Sequence, residues 1–140
     1  MTEVIPHADR DTQRRRTLRV LLVEHHPLVR AGLRRLLESE GGLEVVAEVD
    51  SGGEGCFAVQ RWQPDIAIVG LALPDGGGVE AVEAIKAHCH ATALVAFSGY
   101  DDEQYRRALL TAGAAAVVLK DGHGQTLLKV LRALRGTQSG

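Results

Sequence analysis

The sequence predicts a three-layer α/β sandwich in which a parallel sheet is covered by helices on both faces. Short runs of Val, Ile, Leu and Ala without a polar face alternate along the chain with segments of helical periodicity. Strands that are apolar on both faces must be buried on both faces, and right-handed crossover helices provide that cover. The length of 140 residues and the hydrophobic content of 45% suit one domain with its own core.

The strands and helices are predicted in strict alternation. Apolar runs predict five strands, at Leu18 to Val23, Glu44 to Val49, Asp65 to Val69, Ala93 to Phe97 and Ala115 to Leu119. Helical patterns predict five helices, near Pro27 to Ser39, Gly53 to Trp62, Val79 to His88, Asp101 to Ala112 and Gly124 to Arg135. Glycines suited to chain reversal follow the first and fourth helices, at Gly41, Gly42 and Gly113.

The folded domain is predicted to span residues 18–136. Residues 1–17 show no periodicity and mix charges with a proline, so we expect a flexible N-terminal arm, and residues 137–140 a short C-terminal tail. A net charge of −2 and a pI near 6.3 give no overall electrostatic reason to expect nucleic acid. With no signal sequence and no apolar run long enough for a bilayer, the expectation is a cytoplasmic protein without a membrane partner.

The functional residues of such folds lie at the carboxyl ends of the strands. The segments VEHHPLVRAGLRRLL, PDIAIVGLALPDGGGVEAVEAI and ALVAFSGYDDEQYRRALLTAGAAAVVLKD, with the leucine-rich helix after them, resemble response-regulator receiver domains, most like the NarL-type subgroup. The resemblance covers residues 18 to about 135. It implies a CheY-like fold with five parallel strands in the order 2-1-3-4-5 and five helices.

The resemblance also implies a pocket for phosphorylation. A typical member has two acids after strand one, an aspartate nucleophile after strand three, Ser or Thr after strand four and Lys after strand five, and it uses magnesium. Those positions here are Glu24, His25, Gly70, Ser98 and Lys120. The side chain of glycine has no oxygen that could attack phosphorus. We therefore expect a degenerate pocket without a catalytic residue, in an atypical member that is not an enzyme.

The acids nearest to position 70 do not replace the missing carboxylate. Asp65 begins the third strand and is expected at the opposite end of the sheet. Asp75 follows Pro74 in the next loop and is interpreted as a turn residue.

No metal or cofactor is expected. By the resemblance, magnesium would be anchored by residues 25 and 70 and the carbonyl of residue 72, but His25 offers nitrogen and Gly70 no side chain. A zinc or nickel site using Glu24, His25 and His26 is disfavoured, because adjacent residues leaving a strand point to opposite sides. The stretch GEGCFA matches a dinucleotide fingerprint, but Gly70 stands where the ribose-binding acid would be needed.

The remaining pocket residues suggest structural roles. Lys120 without a phosphoryl partner is expected to pair with Glu24 across the top of the sheet, with Ser98 supplying a hydrogen bond. His26 resembles a histidine that ordinary members carry and is interpreted as structural. Family members often carry an inward-turning aromatic residue three positions before the lysine. Here that switch position is Val117, which lacks an aromatic ring.

The favoured function is that of a pseudo-receiver, a phosphorylation-independent protein-interaction module in two-component signal transduction, free-standing or part of a transcription regulator. The expected partner is another protein or its own output domain, with nucleic acid reached only through that domain. A weak homodimer is also expected, because receiver relatives pair through faces built from their last helices. The alternatives are a sensor that binds a small anion or metabolite in the degenerate pocket, and a structural dimerisation element. A concentrated apolar pocket would favour the sensor, and a packed site the interaction module.

Overall fold

Strands and helices alternate along the chain in the computed structural model, which describes residues 17–120 and 124–139. The strands are β1 (Leu18–Val23), β2 (Leu43–Val49), β3 (Ile66–Gly70), β4 (Ala93–Ser98) and β5 (Ala114–Leu119). The helices are α1 (Pro27–Glu40), α2 (Gly52–Trp62), α3 (Gly78–His88), α4 (Glu103–Ala112) and α5 (Gln125–Ser139).

Every predicted strand and helix is present, and the boundaries differ most at α5. That helix was expected to end at Arg135 and continues to Ser139, so most of the predicted tail at residues 137–140 is helical. Gly136 lies inside the helix without interrupting it. The predicted arm at residues 1–17 lies outside the described residues except for Thr17.

The five strands form one parallel sheet in the order β2-β1-β3-β4-β5, as the resemblance implied. Val23 of β1 is paired with Val69 of β3, so the next residue on β3, Gly70, lies level with Glu24, the residue that follows β1. Ser98, the last residue of β4, is paired with Leu119 of β5. The residues that end or directly follow β1, β3, β4 and β5 therefore share one edge of the sheet.

Two apolar layers enclose the sheet because alternate strand residues point to opposite faces. On β1, Leu21 and Val23 pack with residues of α2, α3 and α4, whereas Val20 and Leu22 pack with residues of α1 and α5. The helices supply large aliphatic side chains to these layers, including Val59, Val82, Ile85 and Leu109 on one face and Leu33, Leu37, Leu127 and Leu131 on the other. Each such buried side chain contributes roughly 1.5–3 kcal/mol.

Local signals explain where the helices begin and end. Pro27 occupies the first turn of α1, where its missing N–H costs no hydrogen bond. The Asp102 side chain caps α4 by accepting a hydrogen bond from the backbone N–H of Tyr105. Gly41, with φ 76°, and Gly113, with φ 122°, end α1 and α4 in conformations that favour glycine. Within residues 17–120 and 124–139, no helix has the length and apolar character needed to cross a bilayer.

We predict that Leu37→Ala lowers the free energy of unfolding by about 2–5 kcal/mol, because it opens a cavity in the layer between α1 and the sheet. The matched control is Leu28→Ala on the same helix, where the leucine is 79% exposed and the expected change is within about 0.5 kcal/mol. Urea unfolding followed by circular dichroism measures both. Equal losses in the two variants would contradict the assignment of the buried face.

Candidate functional site

Three of the predicted pocket residues meet at the carboxyl edge of the sheet. Glu24 follows β1, Gly70 ends β3 and Lys120 follows β5. The Lys120 Nζ atom lies 3.8 Å from Glu24 Oε1, so the predicted ion pair is confirmed. Its two side chains differ in environment, since that of Glu24 is 3% exposed and that of Lys120 is 33% exposed. The pair therefore lies at the boundary between the core and solvent.

The carboxylate of Glu24 is held by different groups at its two oxygens. Oε2 accepts a hydrogen bond of 3.0 Å from the backbone N–H of His26. Oε1 is buried and accepts no hydrogen bond from any described residue, so the Lys120 ammonium is its compensating charge. Arg30 fixes the backbone of the same loop by donating from Nη1 to the Glu24 carbonyl at 2.8 Å. A buried carboxylate is costly unless it is paired in this way.

Gly70 leaves the space that the Glu24 carboxylate fills. A Cβ built on Gly70 would overlap Glu24 Oε1 and would lie 2.9 Å from Glu24 Cδ. Gly70 belongs to β3 and is absent from the glycines with positive φ, so its backbone conformation is open to any residue. A side chain at position 70 would therefore require the end of the Glu24 side chain to shift, whereas the backbone could stay as it is.

Lys120 has a second contact beside the carboxylate. Its Nζ lies 5.4 Å from the centroid of the Phe97 ring, close enough for a cation–π interaction. The backbone N–H of Lys120 donates to the Ser98 carbonyl at 2.8 Å, which continues the β4–β5 pairing by one residue. The lysine is therefore fixed at its backbone by β4 and at its ammonium by an acid and a ring.

The predicted hydrogen bond from Ser98 to the ion pair is wrong. The Ser98 hydroxyl accepts from the backbone N–H of Tyr100 at 3.0 Å and donates to the Tyr100 carbonyl at 3.2 Å. Serine hydroxyls readily form hydrogen bonds with backbone groups two residues away. Here these local hydrogen bonds form instead of one to the Glu24–Lys120 ion pair. Ser98 is buried at the sheet edge, and its hydroxyl forms hydrogen bonds within the β4–α4 loop.

The two histidines are exposed and take different positions. His26 is the N-cap residue of α1, and its contribution to the site is the backbone N–H that binds Glu24. His25 lies between Glu24 and the cap. No group of three His, Cys, Asp or Glu side chains suited to a metal ion occurs in the part of the chain that the structure describes.

Val117 lies in β5, where it is paired with Ala96. Its side chain is half-buried against the core layer beneath α2, α3 and α4. The switch position thus contributes aliphatic packing to that layer.

The two other acids near β3 have separate roles. Asp65 lies at the opposite edge of the sheet, as predicted, where its carboxylate accepts from the backbone N–H of Arg19 at 2.9 Å. Asp75 lies in the predicted turn, and its carboxylate also accepts from the backbone N–H groups of Gly52 and Gly53 at 2.9 and 2.8 Å. These two bonds lower the pKa of Asp75.

This second role of Asp75 was not predicted from the sequence. Its side chain joins the β3–α3 loop to the first turn of α2, where backbone N–H groups lack partners within the helix. The signal in the sequence was the pair of glycines at the start of α2. Without side chains there, a carboxylate from another loop can approach the backbone N–H groups closely.

Comparison with known proteins gives one consistent family. Residues 20–132 match the profile of the response regulator receiver domain family. The chain is 32% identical over 117 residues to a nitrate/nitrite response regulator protein homolog of Haemophilus influenzae, covering 84% of this chain and 56% of that protein. It is 33% identical over 118 residues to response regulator GacA of Pseudomonas viridiflava, covering 84% of this chain and 54% of that protein. The chain thus spans about half the length of these relatives.

Solved structures agree in fold. A two-component response regulator of the LuxR family from Aurantimonas sp. superimposes with a TM-score of 0.81 at 33% identity, covering 86% of each chain. The signal receiver domain of NarL from Mycobacterium tuberculosis superimposes with a TM-score of 0.78 at 29% identity, covering 86% of this chain and 98% of that one.

We predict that Asp75→Asn lowers the urea midpoint near pH 7 and that this difference from the native protein disappears in acid. A lowered pKa in the folded state stabilises the fold above the ordinary aspartate value of about 3.9, and this contribution is lost as the pH falls through the folded pKa. Urea unfolding at a series of pH values measures the difference. Asp101→Asn, at an exposed aspartate, is the control, and a difference for Asp75→Asn that persists unchanged in acid would contradict the capping role.

Proposed function

Because the chain belongs to the response regulator receiver domain family, we propose that it is a pseudo-receiver, a regulatory protein-interaction module that acts without being phosphorylated. The observation that supports this proposal best is the glycine at the end of β3, beneath the Glu24 carboxylate. By resemblance, an ordinary receiver has its phosphoacceptor aspartate at that position. The proposal places this chain in two-component signal transduction as a non-enzymatic module.

The chemistry of acyl phosphate formation supports the proposal. A carboxylate oxygen must attack phosphorus in line with the leaving group, and position 70 presents no such oxygen. The nearest carboxylate, that of Glu24, is buried and engaged by Lys120 and by the backbone of His26. No free carboxylate is therefore available at the end of β3 to attack the phosphorus of a phosphodonor.

The residues present do not fit the magnesium ion that the fold family implies. Magnesium requires about six oxygen ligands, several of them from carboxylates or water. Glu24 contributes one carboxylate, but the Lys120 ammonium lies 3.8 Å from its Oε1 atom and opposes a second cation there. His25 carries nitrogen instead of oxygen, and Gly70 has no side chain. The proposal accordingly includes no metal or other cofactor.

The packing of the site favours an interaction module over the alternative of an anion sensor. The space over Gly70 contains the Glu24 carboxylate, which repels an anion and already neutralises Lys120. Ser98 has both of its hydrogen bonds on Tyr100. An anion entering the space over Gly70 would have to displace the Glu24 carboxylate.

The proposed partner is a protein, either a separate one or an output domain of the same polypeptide. The curated relatives include a nitrate/nitrite response regulator protein homolog and response regulator GacA, and each is about twice as long as the matched region. We propose transcription regulation in the cytoplasm as the process, with nucleic acid reached only through an output domain. We further propose that the chain forms a weak homodimer.

We predict that the protein gains no acyl phosphate when it is incubated with magnesium and a small-molecule phosphodonor. Intact-protein mass spectrometry detects the adduct, and hydroxylamine sensitivity identifies an acyl phosphate. Gly70→Asp alone should remain poorly phosphorylated, since His25 is a poor anchor for magnesium. Adding His25→Asp should increase the yield.

The outcome that would overturn the proposal is a phosphoryl adduct on the native protein. Peptide mapping would then assign it to Asp65, Asp75 or another acid.

We also predict a homodimer of modest affinity, because a symmetric pair is the commonest oligomer of soluble proteins. Light scattering across a concentration series should show an average mass that rises from monomer towards dimer. A monomer mass that stays constant up to high concentration would contradict the dimer.

A further inference from the structure

A groove formed by the β4–α4 loop and the first turn of α4 lies outside the degenerate pocket. It has a volume of about 400 Å³ and is lined by two tyrosines and two aspartates, Tyr100, Asp101, Asp102 and Tyr105. We infer that this groove binds the guanidinium group of an arginine carried by a partner protein. The inference deepens the proposed function, because it names the chemistry of the protein partner, and it rests on that function.

The residue types that line the groove suit a guanidinium group. An arginine side chain stacks its planar face on aromatic rings, and its N–H groups donate in pairs to carboxylates. Tyr100 and Tyr105 supply rings, whereas Asp101 and Asp102 supply carboxylates. A lysine ammonium is a point charge without a planar face, so it gains less from the same surroundings.

The groups around the groove are held in place by the fold. Tyr100 is 75% exposed, but its backbone N–H and carbonyl both form hydrogen bonds with the buried Ser98 hydroxyl. Asp102 is fixed through Oδ1, which caps α4. Tyr105 is half-buried and packs against the core layer beneath α2, α3 and α4. Because these groups are already ordered, a ligand binds at a smaller cost in conformational entropy.

The charges around the groove are complementary to a cation. Its lining contains two acids and no basic side chain. Asp101 is exposed and has no ion-pair partner among the described residues. Of the two arginines on α4, Arg107 is paired with Glu103 at 3.3 Å and Arg106 is not among the lining residues. An incoming guanidinium would therefore meet unneutralised carboxylate charge.

The Tyr105 hydroxyl adds to this character. Burial raises its pKa, and the charges of Glu80 and Tyr100 raise the pKa further. The hydroxyl therefore stays neutral near pH 7, where its oxygen can accept a hydrogen bond from a cation. The effect of Glu80 on this pKa also shows that a third acid acts on the groove.

The exposure of Tyr100 favours a cation that is part of a protein over a free one. A cation stacked on this ring keeps one side in solvent, and exposed cation–π contacts are weak by themselves. A partner protein adds contacts around the arginine that a free cation lacks. Tyrosine and arginine are also among the residues that contribute most to binding energy at protein interfaces.

The inference is tested by NMR titration of the native protein with capped tripeptides, acetyl-Gly-Xaa-Gly-amide, in which Xaa is arginine, lysine or citrulline. Citrulline has nearly the shape of arginine without its charge. The arginine peptide should shift the amide resonances of Tyr100, Asp101 and Tyr105 saturably at millimolar concentration. The lysine peptide should bind more weakly, and the citrulline peptide should have no effect. Equal responses to arginine and citrulline would overturn the inference.

Substitutions locate the binding site. Tyr100→Ala and Asp101→Asn should each weaken binding of the arginine peptide about 2- to 5-fold, because each removes one contact at an exposed site. The matched controls are Phe57→Ala, at a ring on α2 that is 77% exposed, and Asp50→Asn, at another exposed aspartate. Neither control should change the affinity. If Tyr100→Ala and Asp101→Asn also leave it unchanged, the inference is wrong.

Titration with tetramethylammonium chloride distinguishes a guanidinium carried by a protein from a small free cation. This ion can stack on a ring but cannot donate hydrogen bonds to carboxylates, so it should bind more weakly than the arginine peptide. Binding as tight as that of the arginine peptide would make the groove a site for small cations and would overturn the inference.

These results separate the inference from the proposed function. Phosphorylation of the native protein would overturn the proposed function, whichever peptides bind. A protein that takes no phosphoryl group and binds no arginine peptide would overturn only the inference.

Discussion

A carboxylate taken out of water needs a compensating charge, and the carboxyl edge of this sheet is organised around that requirement at Glu24. Removing such an ion from water costs several kcal/mol, and the cost is offset only when attraction and hydrogen bonds replace hydration. Lys120 supplies the charge, the backbone of His26 supplies one hydrogen bond, and Gly70 supplies the room. These three contributions join the β1–α1 loop to the end of β5.

The fold was predictable because its signals are local and repeated. Each strand is an apolar run and each helix carries an apolar stripe, so the five strands and five helices were identified and the bounds of β1, Leu18 to Val23, were predicted to the residue. The end of α5 was placed too early because a glycine near the end of a helical pattern resembles a stop signal, although Gly136 remains helical here. The order of the strands came from the family resemblance, not from periodicity.

The site was predictable only in part. The ion pair of Glu24 with Lys120 followed from two opposite charges at the same edge of the sheet, with no other evident partners. The hydrogen-bond partner of Ser98 was not predicted, because it depends on the conformation of the loop after β4. The spacing of residues along the strands does not show that the Tyr100 backbone lies within reach of the hydroxyl. The bond of Asp75 to α2 depends on how closely two loops approach, which only the folded chain determines.

The overlap between a residue-70 side chain and Glu24 bears on how such a sequence can change over evolutionary time. The glycine codons GGU and GGC become aspartate codons by one base change, whereas GGA and GGG need two. The substitution is nevertheless contingent, because the effects of contacting residues do not add. The end of the Glu24 side chain must shift before position 70 can carry a carboxylate, so the effect of that substitution on stability depends on the residue at position 24.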